Sequence, residues 1–303
     1  MKKKVLFIFN PYSGKGQIKN NLLDIIDVLV KTEHEVTVYP TQFKKQAVSL
    51  VENRRPEYDL IVCSGGDGTL DEIVTGMIQS GFKTPIGYIP AGSTNDFAKS
   101  LELPSNMKSA AEVVAAGKIF SCDVGLFNND VFVYIAAFGL FTEVSYETPQ
   151  EMKNVLGHMA YILEGVKQFQ NIKSYHMKVA YKEDDIEKNI EDDFIFGMIT
   201  NSFSVGGFKT VLGNVTGKNV ALNDGLFEVT LVKRPRNPIE LNSILVALVS
   251  EKIDTEYMYC FKAKELVLES QTEVAWTLDG EFGGNHTRVE LVDMHEAMDI
   301  IVE

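Results

Sequence analysis

The stretch from residue 60 to residue 77 constrains this chain most. Leu60-Ile61-Val62-Cys63 is a short apolar run of the kind that forms a buried strand, and it stops at Ser64-Gly65-Gly66-Asp67-Gly68-Thr69. A helical pattern follows, with Leu70, Ile73, Val74 and Met77 at helical spacing and Asp71 within its first turn. Strand, glycine turn and helix together offer backbone N–H groups to phosphate. The glycines let the chain approach closely, and the helix N-terminus supplies positive potential. Asp67 is the unusual member, a carboxylate set where an anion would dock. Beside a phosphate it is repelled unless it holds a metal ion or a proton in transit. That combination points to phosphoryl transfer rather than nucleotide storage.

A lone glycine-rich turn after a strand is also the ordinary form of a tight β–α connection, and two further stretches tip the balance. Asn10-Pro11-Tyr12-Ser13-Gly14-Lys15-Gly16 follows the apolar residues 5–9, and Pro90-Ala91-Gly92-Ser93-Thr94-Asn95-Asp96-Phe97-Ala98 follows residues 86–89. In a doubly wound sheet, turns at the C-terminal ends of strands converge on one edge. The first of them is not a Walker A loop: the spacing G-x-x-x-x-G-K-[ST] is absent, and Lys15 sits between two glycines. Ser93 to Asp96 suit either a nucleotide or an acceptor hydroxyl, and Asn95 equally suits a helix N-cap.

The first 120 or so residues alternate strand and helix, which implies right-handed crossovers and a parallel sheet. Strands are expected at 5–9, 36–39, 60–63 and 86–89. Helices are expected after the first strand (Ile18, Leu22, Ile25, Ile26 and Leu29 inward), over 43–53, and from a cap at Ser105 or Asn106 to Ala116, stopped by Gly117. From Cys122 the texture changes. Residues 124–127 and 131–138 read as two strands around Asn128-Asn129-Asp130, and a helix is expected over 153–170. Residues 175–181 and 194–200 flank an acidic segment that reads as a solvated hairpin tip. Further strands are expected at 226–232, 265–269, 273–278 and 288–292, with a helix after Asn237-Pro238. The expected fold is an α/β nucleotide domain over residues 1–121 and a β-rich, sandwich-like domain over 122–303. Residues 294–303 either stay with the second domain or return to the first.

Composition narrows the function. The chain has 303 residues, 45% of them hydrophobic, enough for two domains with cores of their own. A net charge of −13 argues against nucleic acid and against constitutive electrostatic adhesion to anionic membrane. Lys44-Lys45, Arg54-Arg55 and Lys233-Arg234-Pro235-Arg236 are the small basic clusters open to transient membrane contact. Met1-Lys2-Lys3-Lys4 and the apolar run after it briefly imitate a signal peptide, but the run ends at Asn10-Pro11 and is expected to be a first strand. No stretch approaches the roughly 20 apolar residues of a membrane span. Cys63, Cys122 and Cys260, odd in number and far apart, are expected to be reduced thiols.

Asn-Pro-x-Ser-Gly, Gly-Gly-Asp-Gly-Thr and Pro-x-Gly-Ser-x-Asn-Asp, in this order, resemble the diacylglycerol kinase catalytic-domain family, with the soluble bacterial lipid kinases as the nearest likeness. NAD kinases and phosphofructokinases share only the Gly-Gly-Asp-Gly core. The likeness extends to Asp224-Gly225-Leu226 and Asp279-Gly280-Glu281, and so over nearly the whole chain. The resemblance implies a nucleotide domain of the NAD kinase and phosphofructokinase kind, with ATP and Mg²⁺ as cofactors. It implies a cytoplasmic enzyme, peripheral at the inner face of the membrane, that phosphorylates the primary hydroxyl of diacylglycerol to phosphatidic acid. Another lipid alcohol, such as phosphatidylglycerol or a sphingoid base, is the alternative acceptor, and a nucleotide-binding regulator without turnover is the alternative class. A homodimer is left open.

The resemblance also distributes roles. It assigns Asn10, Pro11, Tyr12, Ser13, Gly14 and Lys15 to ATP, together with Thr41, Gly65 through Asp71, Ser93, Asn95 and Asp96. Asp67 either organises Mg²⁺ or accepts a proton, and Asp96 and Asp123 are further members of that network, Asp123 being equally well explained as a structural carboxylate. Asp279-Gly280-Glu281 would face the interdomain cleft and activate the lipid hydroxyl. The base is either residue, Glu281 being favoured for its longer arm. A second, structural Mg²⁺ would be held by the Asp224 side chain, the Leu226 carbonyl and position 221. Here that position is Ala221, which has no side-chain oxygen, so a ligand is missing or is replaced by backbone or water. Residues 201–219 also depart from the family's glycine-rich version of this region.

Overall fold

The computed structural model describes residues 3–54, 57–140, 172–183, 186–202, 204–205, 208–209, 221–249 and 256–303. Its elements begin with β1 (Lys4–Phe9), α1 (Ile18–Lys31), β2 (Glu35–Pro40), α2 (Gln46–Arg54), β3 (Leu60–Gly65), α3 (Asp67–Gln79), β4 (Ile86–Pro90), α4 (Asp96–Ser100), α5 (Met107–Ala116) and β5 (Lys118–Phe127). They continue with β6 (Asp130–Phe132), β7 (Ile135–Gly139), β8 (Tyr175–Glu183), β9 (Ile186–Thr200), β10 (Ser204–Val205), β11 (Phe208–Lys209) and β12 (Phe227–Lys233). The last four are α6 (Pro238–Val249), β13 (Met258–Ala263), β14 (Glu265–Leu278) and β15 (Glu281–Val302). Two compact units result, one of Met1–Val124 with His295–Glu303, the other of Gly125–Met294. Among the described residues no helix is long and apolar enough to cross a membrane.

In the first unit β2, β1, β3 and β4 lie side by side in that order, all parallel, and the end of β15 runs parallel to β4 with Ile300 opposite Ile86. Strands covered on both faces are apolar throughout, and residues 5–8 of β1 and 61–63 of β3 are fully buried. One core joins Val5, Phe7, Val62 and Ile89 to Ile18, Ile25 and Leu29 of α1 and Ala110, Ala111 and Val114 of α5. At the start of α5, Asn106 accepts a bond from the Ser109 N–H at 3.0 Å, and Gly117 ends the helix at φ +76°, a left-handed cap. Glu72 of α3 caps α2 from outside, its carboxylate accepting the N–H groups of Lys45 and Ala47 at 2.7 and 3.1 Å.

In the second unit the strands are antiparallel. β9 pairs with β8 along its first half and with β7 along its second, and β14 does the same, so β9, β7, β14 and β8 close into a ring of pairings. β12 and β13 extend it beyond β9. Aromatic side chains fill the core: Trp276 is buried with its ring centroid 5.1 Å from that of Phe127 and 4.8 Å from that of Phe138. Several expectations are corrected here. Residues 131–138 form two strands, β6 and β7, instead of one. The acidic run does form a hairpin, β8 and β9 with Glu183 opposite Ile186, but Glu187, Glu191, Asp192 and Asp193 lie along β9 and not at its tip, with Met177 opposite Asp192 and Lys178 opposite Glu191. Residues 265–269 and 273–278 are one strand with a register shift between Glu269 and Val274. The helix expected over 153–170 and most of the stretch 201–219 lie outside the described residues.

Candidate active site

Three loops leave the C-terminal ends of β1, β3 and β4, and the hydrogen bonds and close contacts among them knit them together. Gly66 donates its N–H to the Ser13 hydroxyl at 3.2 Å, joining the first loop to the second. Asn10 donates its N–H to the Ser64 carbonyl at 2.9 Å, and Ala91 donates to the Gly65 carbonyl at 2.7 Å. A Cβ on Gly14 would sit 2.5 Å from the Ala91 carbonyl oxygen, and Gly14 has φ +56°, so this position admits no side chain. A Cβ on Gly92 would sit 2.6 Å from Gly66 Cα. The motif glycines therefore allow the second and third loops to touch backbone to backbone.

Asn95 is the first residue before α4, at φ 52°, but its side chain makes no cap bond. Its amide instead closes on Gly92, accepting from that N–H at 2.8 Å and donating to that carbonyl at 2.9 Å. Thr41, at the end of β2, is buried and donates its N–H to the Phe9 carbonyl at 2.9 Å, which brings it beside the first loop. Pro11 opens the first loop, while Tyr12 and Lys15 in that loop and Ser93 in the third are exposed. Thr69 packs beneath Gly65. The Leu70 side chain is fully buried, so its contribution to a ligand would be through backbone, and Asp71 follows it in the first turns of α3.

Asp67 is the hub. It opens α3, and its carboxylate accepts the N–H groups of Asp96 and Phe97 at 3.2 and 3.4 Å, holding the start of α4 against the second loop. Burial, and after it the nearby Asp96 carboxylate, push the Asp67 pKa up to about 6, against the lowering effect of those two N–H groups and Lys99. Asp96 is itself buried, with Lys99 Nζ 3.3 Å from its Oδ1. Two neighbouring carboxylates that repel each other at the mouth of a phosphate-type loop form a donor pair suited to a hard divalent cation.

The residues assigned to hydroxyl activation belong to the second unit, and they differ sharply. Asp279, at φ 49°, is buried, and its carboxylate accepts three backbone N–H groups, from Val133 at 2.6 Å, Tyr134 at 3.0 Å and Ile135 at 2.9 Å. Its own N–H donates to the Ile135 carbonyl at 2.9 Å. Asp279 thus anchors the segment joining β6 to β7. Glu281, two residues on at the start of β15, is exposed.

Two proposed metal ligands have other partners. The Asp123 carboxylate, fully buried, accepts the Glu296 N–H at 2.6 Å and lies 2.9 Å from His295 Nδ1, holding the bend where β15 enters the first unit. Asp224 accepts the Leu226 N–H at 3.2 Å and pairs with Lys262 at 2.7 Å, and Ala221 adds no side-chain oxygen. Among the described residues no three His, Cys, Asp or Glu side chains gather into a metal-binding group. Glu72, which fixes α2 against α3, and Lys262 escaped the sequence reading. Glu72 lies in the stretch that follows the second loop but offers no signal of its role, Lys262 sits in no motif, and each acts through a partner far away in the chain.

The model of the diacylglycerol kinase catalytic domain matches residues 4–127. A diacylglycerol kinase of Staphylococcus epidermidis is 34% identical over 287 residues, covering 94% of this chain and 87% of the relative. One from Staphylococcus saprophyticus is 32% identical, covering 94% of this chain and 90% of its own. A Bacillus anthracis crystal structure, provisionally assigned as a diacylglycerol kinase, superposes with a TM-score of 0.84 at 25% identity over 99% of this chain and 95% of that one. Three glycine-bearing loops joined at one end of a parallel sheet, together with relatives named diacylglycerol kinases, define a lipid kinase. The chain belongs to the diacylglycerol kinase catalytic-domain family.

Proposed function

We propose that this protein transfers the γ-phosphoryl group of ATP, with Mg²⁺, to the primary hydroxyl of diacylglycerol, yielding phosphatidic acid at a membrane surface it visits transiently. The observation that carries the reading is Asp67, a buried carboxylate at the junction of three phosphate-type loops whose pKa is raised to about 6 by burial and by Asp96. A carboxylate pair of this kind belongs where a cation and a polyphosphate share the site. The parallel order of β2, β1, β3 and β4 supports a nucleotide domain of the NAD kinase and phosphofructokinase kind. The ring of pairings in the second unit supports its sandwich-like character.

Asp67 and Asp96 would hold Mg²⁺. When bound, the ion neutralises charge on the phosphates. The chain does the rest by positioning, which is most of the work in phosphoryl transfer. N–H groups at the start of α3 and in the Ser13–Lys15 loop orient the phosphates, and Lys15 adds positive charge. Glu281 takes the proton from the attacking hydroxyl at its carboxylate, a role that an exposed glutamate can fill and that Asp279, with three N–H groups on its carboxylate, cannot. Asp279 positions it by fixing the turn that precedes it.

The test is a radiolabelled-ATP assay with Mg²⁺ against mixed micelles of diacylglycerol, phosphatidylglycerol, ceramide and sphingosine, with NAD alongside. Label in phosphatidic acid alone is expected. Label in a different lipid would overturn the acceptor, and ATP binding with no labelled product would overturn turnover itself.

A further inference from the structure

A charge cluster in the second unit stands apart from the residues assigned to the reaction. Glu228 on β12 and Lys262 on β13 are direct cross-strand partners, and Lys262 Nζ lies 3.0 Å from Glu228 Oε1. The same ammonium lies 2.7 Å from Asp224 Oδ2, in the turn that feeds β12, while Asp224 Oδ1 accepts the Leu226 N–H. The Glu228 side chain is 2% exposed, so its charge needs a partner.

These residues do not fit the second Mg²⁺ that the resemblance implies. Ala221 has no side-chain ligand atom, and the Lys262 ammonium already lies between Asp224 and Glu228, so a divalent ion there would meet a positive charge at once. We infer that Lys262 is this protein's built-in cation at the Asp224 turn, holding Asp224 and Glu228 in place of a divalent metal and making the fold of the second unit independent of metal. The ammonium offers three donors to two carboxylates, and the antiparallel register delivers it to them without any ion to recruit. The inference concerns how the turn is held and stands apart from the identity of the lipid acceptor.

Thermal unfolding of the whole chain, without nucleotide or lipid, tests it using Mg²⁺ and Mn²⁺ alone as probes. The wild type is expected to melt at the same temperature in EDTA as in millimolar Mg²⁺. Lys262→Met removes the only cation placed against Asp224 and Glu228 among the described contacts and is expected to melt lower in EDTA and to recover by roughly 5 °C or more when Mg²⁺ or Mn²⁺ is added. Lys262→Arg keeps the charge and is expected to stay indifferent to metal. A metal-dependent rise in the wild type that vanishes in Asp224→Asn would overturn the inference. So would a Lys262→Met protein that melts like the wild type with and without metal. Should Lys262→Met fail to fold, the wild type and Asp224→Asn decide the matter between them.

Discussion

Replacing Asp279 by asparagine separates positioning from chemistry. Asparagine tolerates the left-handed backbone at this position (φ 49°), so the change is confined to the side chain. One asparagine oxygen can still accept from Tyr134 and Ile135, but the amide nitrogen then faces the Val133 N–H, donor against donor, at a bond that is 2.6 Å long in the native protein. Losing one charge-assisted bond and stranding a buried N–H costs about 3 kcal/mol. At roughly 2–4 °C per kcal/mol for a domain of this size, the melting temperature should fall by about 6–12 °C. Glu281→Gln, at an exposed position, should leave melting unchanged while kcat drops roughly 10²–10⁴-fold. Circular dichroism melts and assays run well below the transition measure both. An Asp279→Asn protein that melts like the wild type yet loses turnover as deeply as Glu281→Gln would refute the division of roles and make Asp279 the base.

Asp67→Asn should retain its fold and lose activity by roughly 10²-fold or more, because the group that organises charge at the phosphates is gone; comparing its melt with its turnover checks this. Gly92→Ala would place a Cβ 2.6 Å from Gly66 Cα, prising the second and third loops apart, and should raise the KM for ATP roughly tenfold while leaving the lipid KM near its native value. Glu228 has its pKa raised to about 7 by burial, against Lys262, which lowers it. The folded state then binds the proton more tightly than the unfolded state, so stability falls as pH rises from about 4.5 to about 7 and levels off above, by roughly 3 kcal/mol in all. Glu228→Gln should flatten that slope in denaturant melts between pH 4 and pH 8.

The first unit was largely legible because its signals are local. Apolar strands ending in glycine turns, helical spacing at Ile18 to Leu29, and Asn106 with Gly117 around α5 each carry their meaning within a few residues. The three loops could be foreseen as neighbours because a parallel sheet brings the ends of its strands to one edge. What escaped depends on pairings far apart in the chain. The acidic residues of β9 read as a tip, since nothing nearby reveals that β8 runs opposite them. Asp279 and Glu281 look alike in the motif, and only the segment 133–135, some 145 residues earlier, shows that Asp279 is buried against three backbone N–H groups. Asp123 reads as readily as a ligand as it does a brace until His295 and Glu296 return to it. Lys262 lies outside every motif, and its role follows from a cross-strand register that the sequence does not display.

The most direct test of the account is product stoichiometry. Wild-type protein mixed with ATP, Mg²⁺ and diacylglycerol micelles should release ADP and form phosphatidic acid in equal amounts, and both should collapse together in Asp67→Asn and Glu281→Gln. ADP accompanied by inorganic phosphate, with no phosphorylated lipid, would contradict the assignment of the lipid hydroxyl as the acceptor.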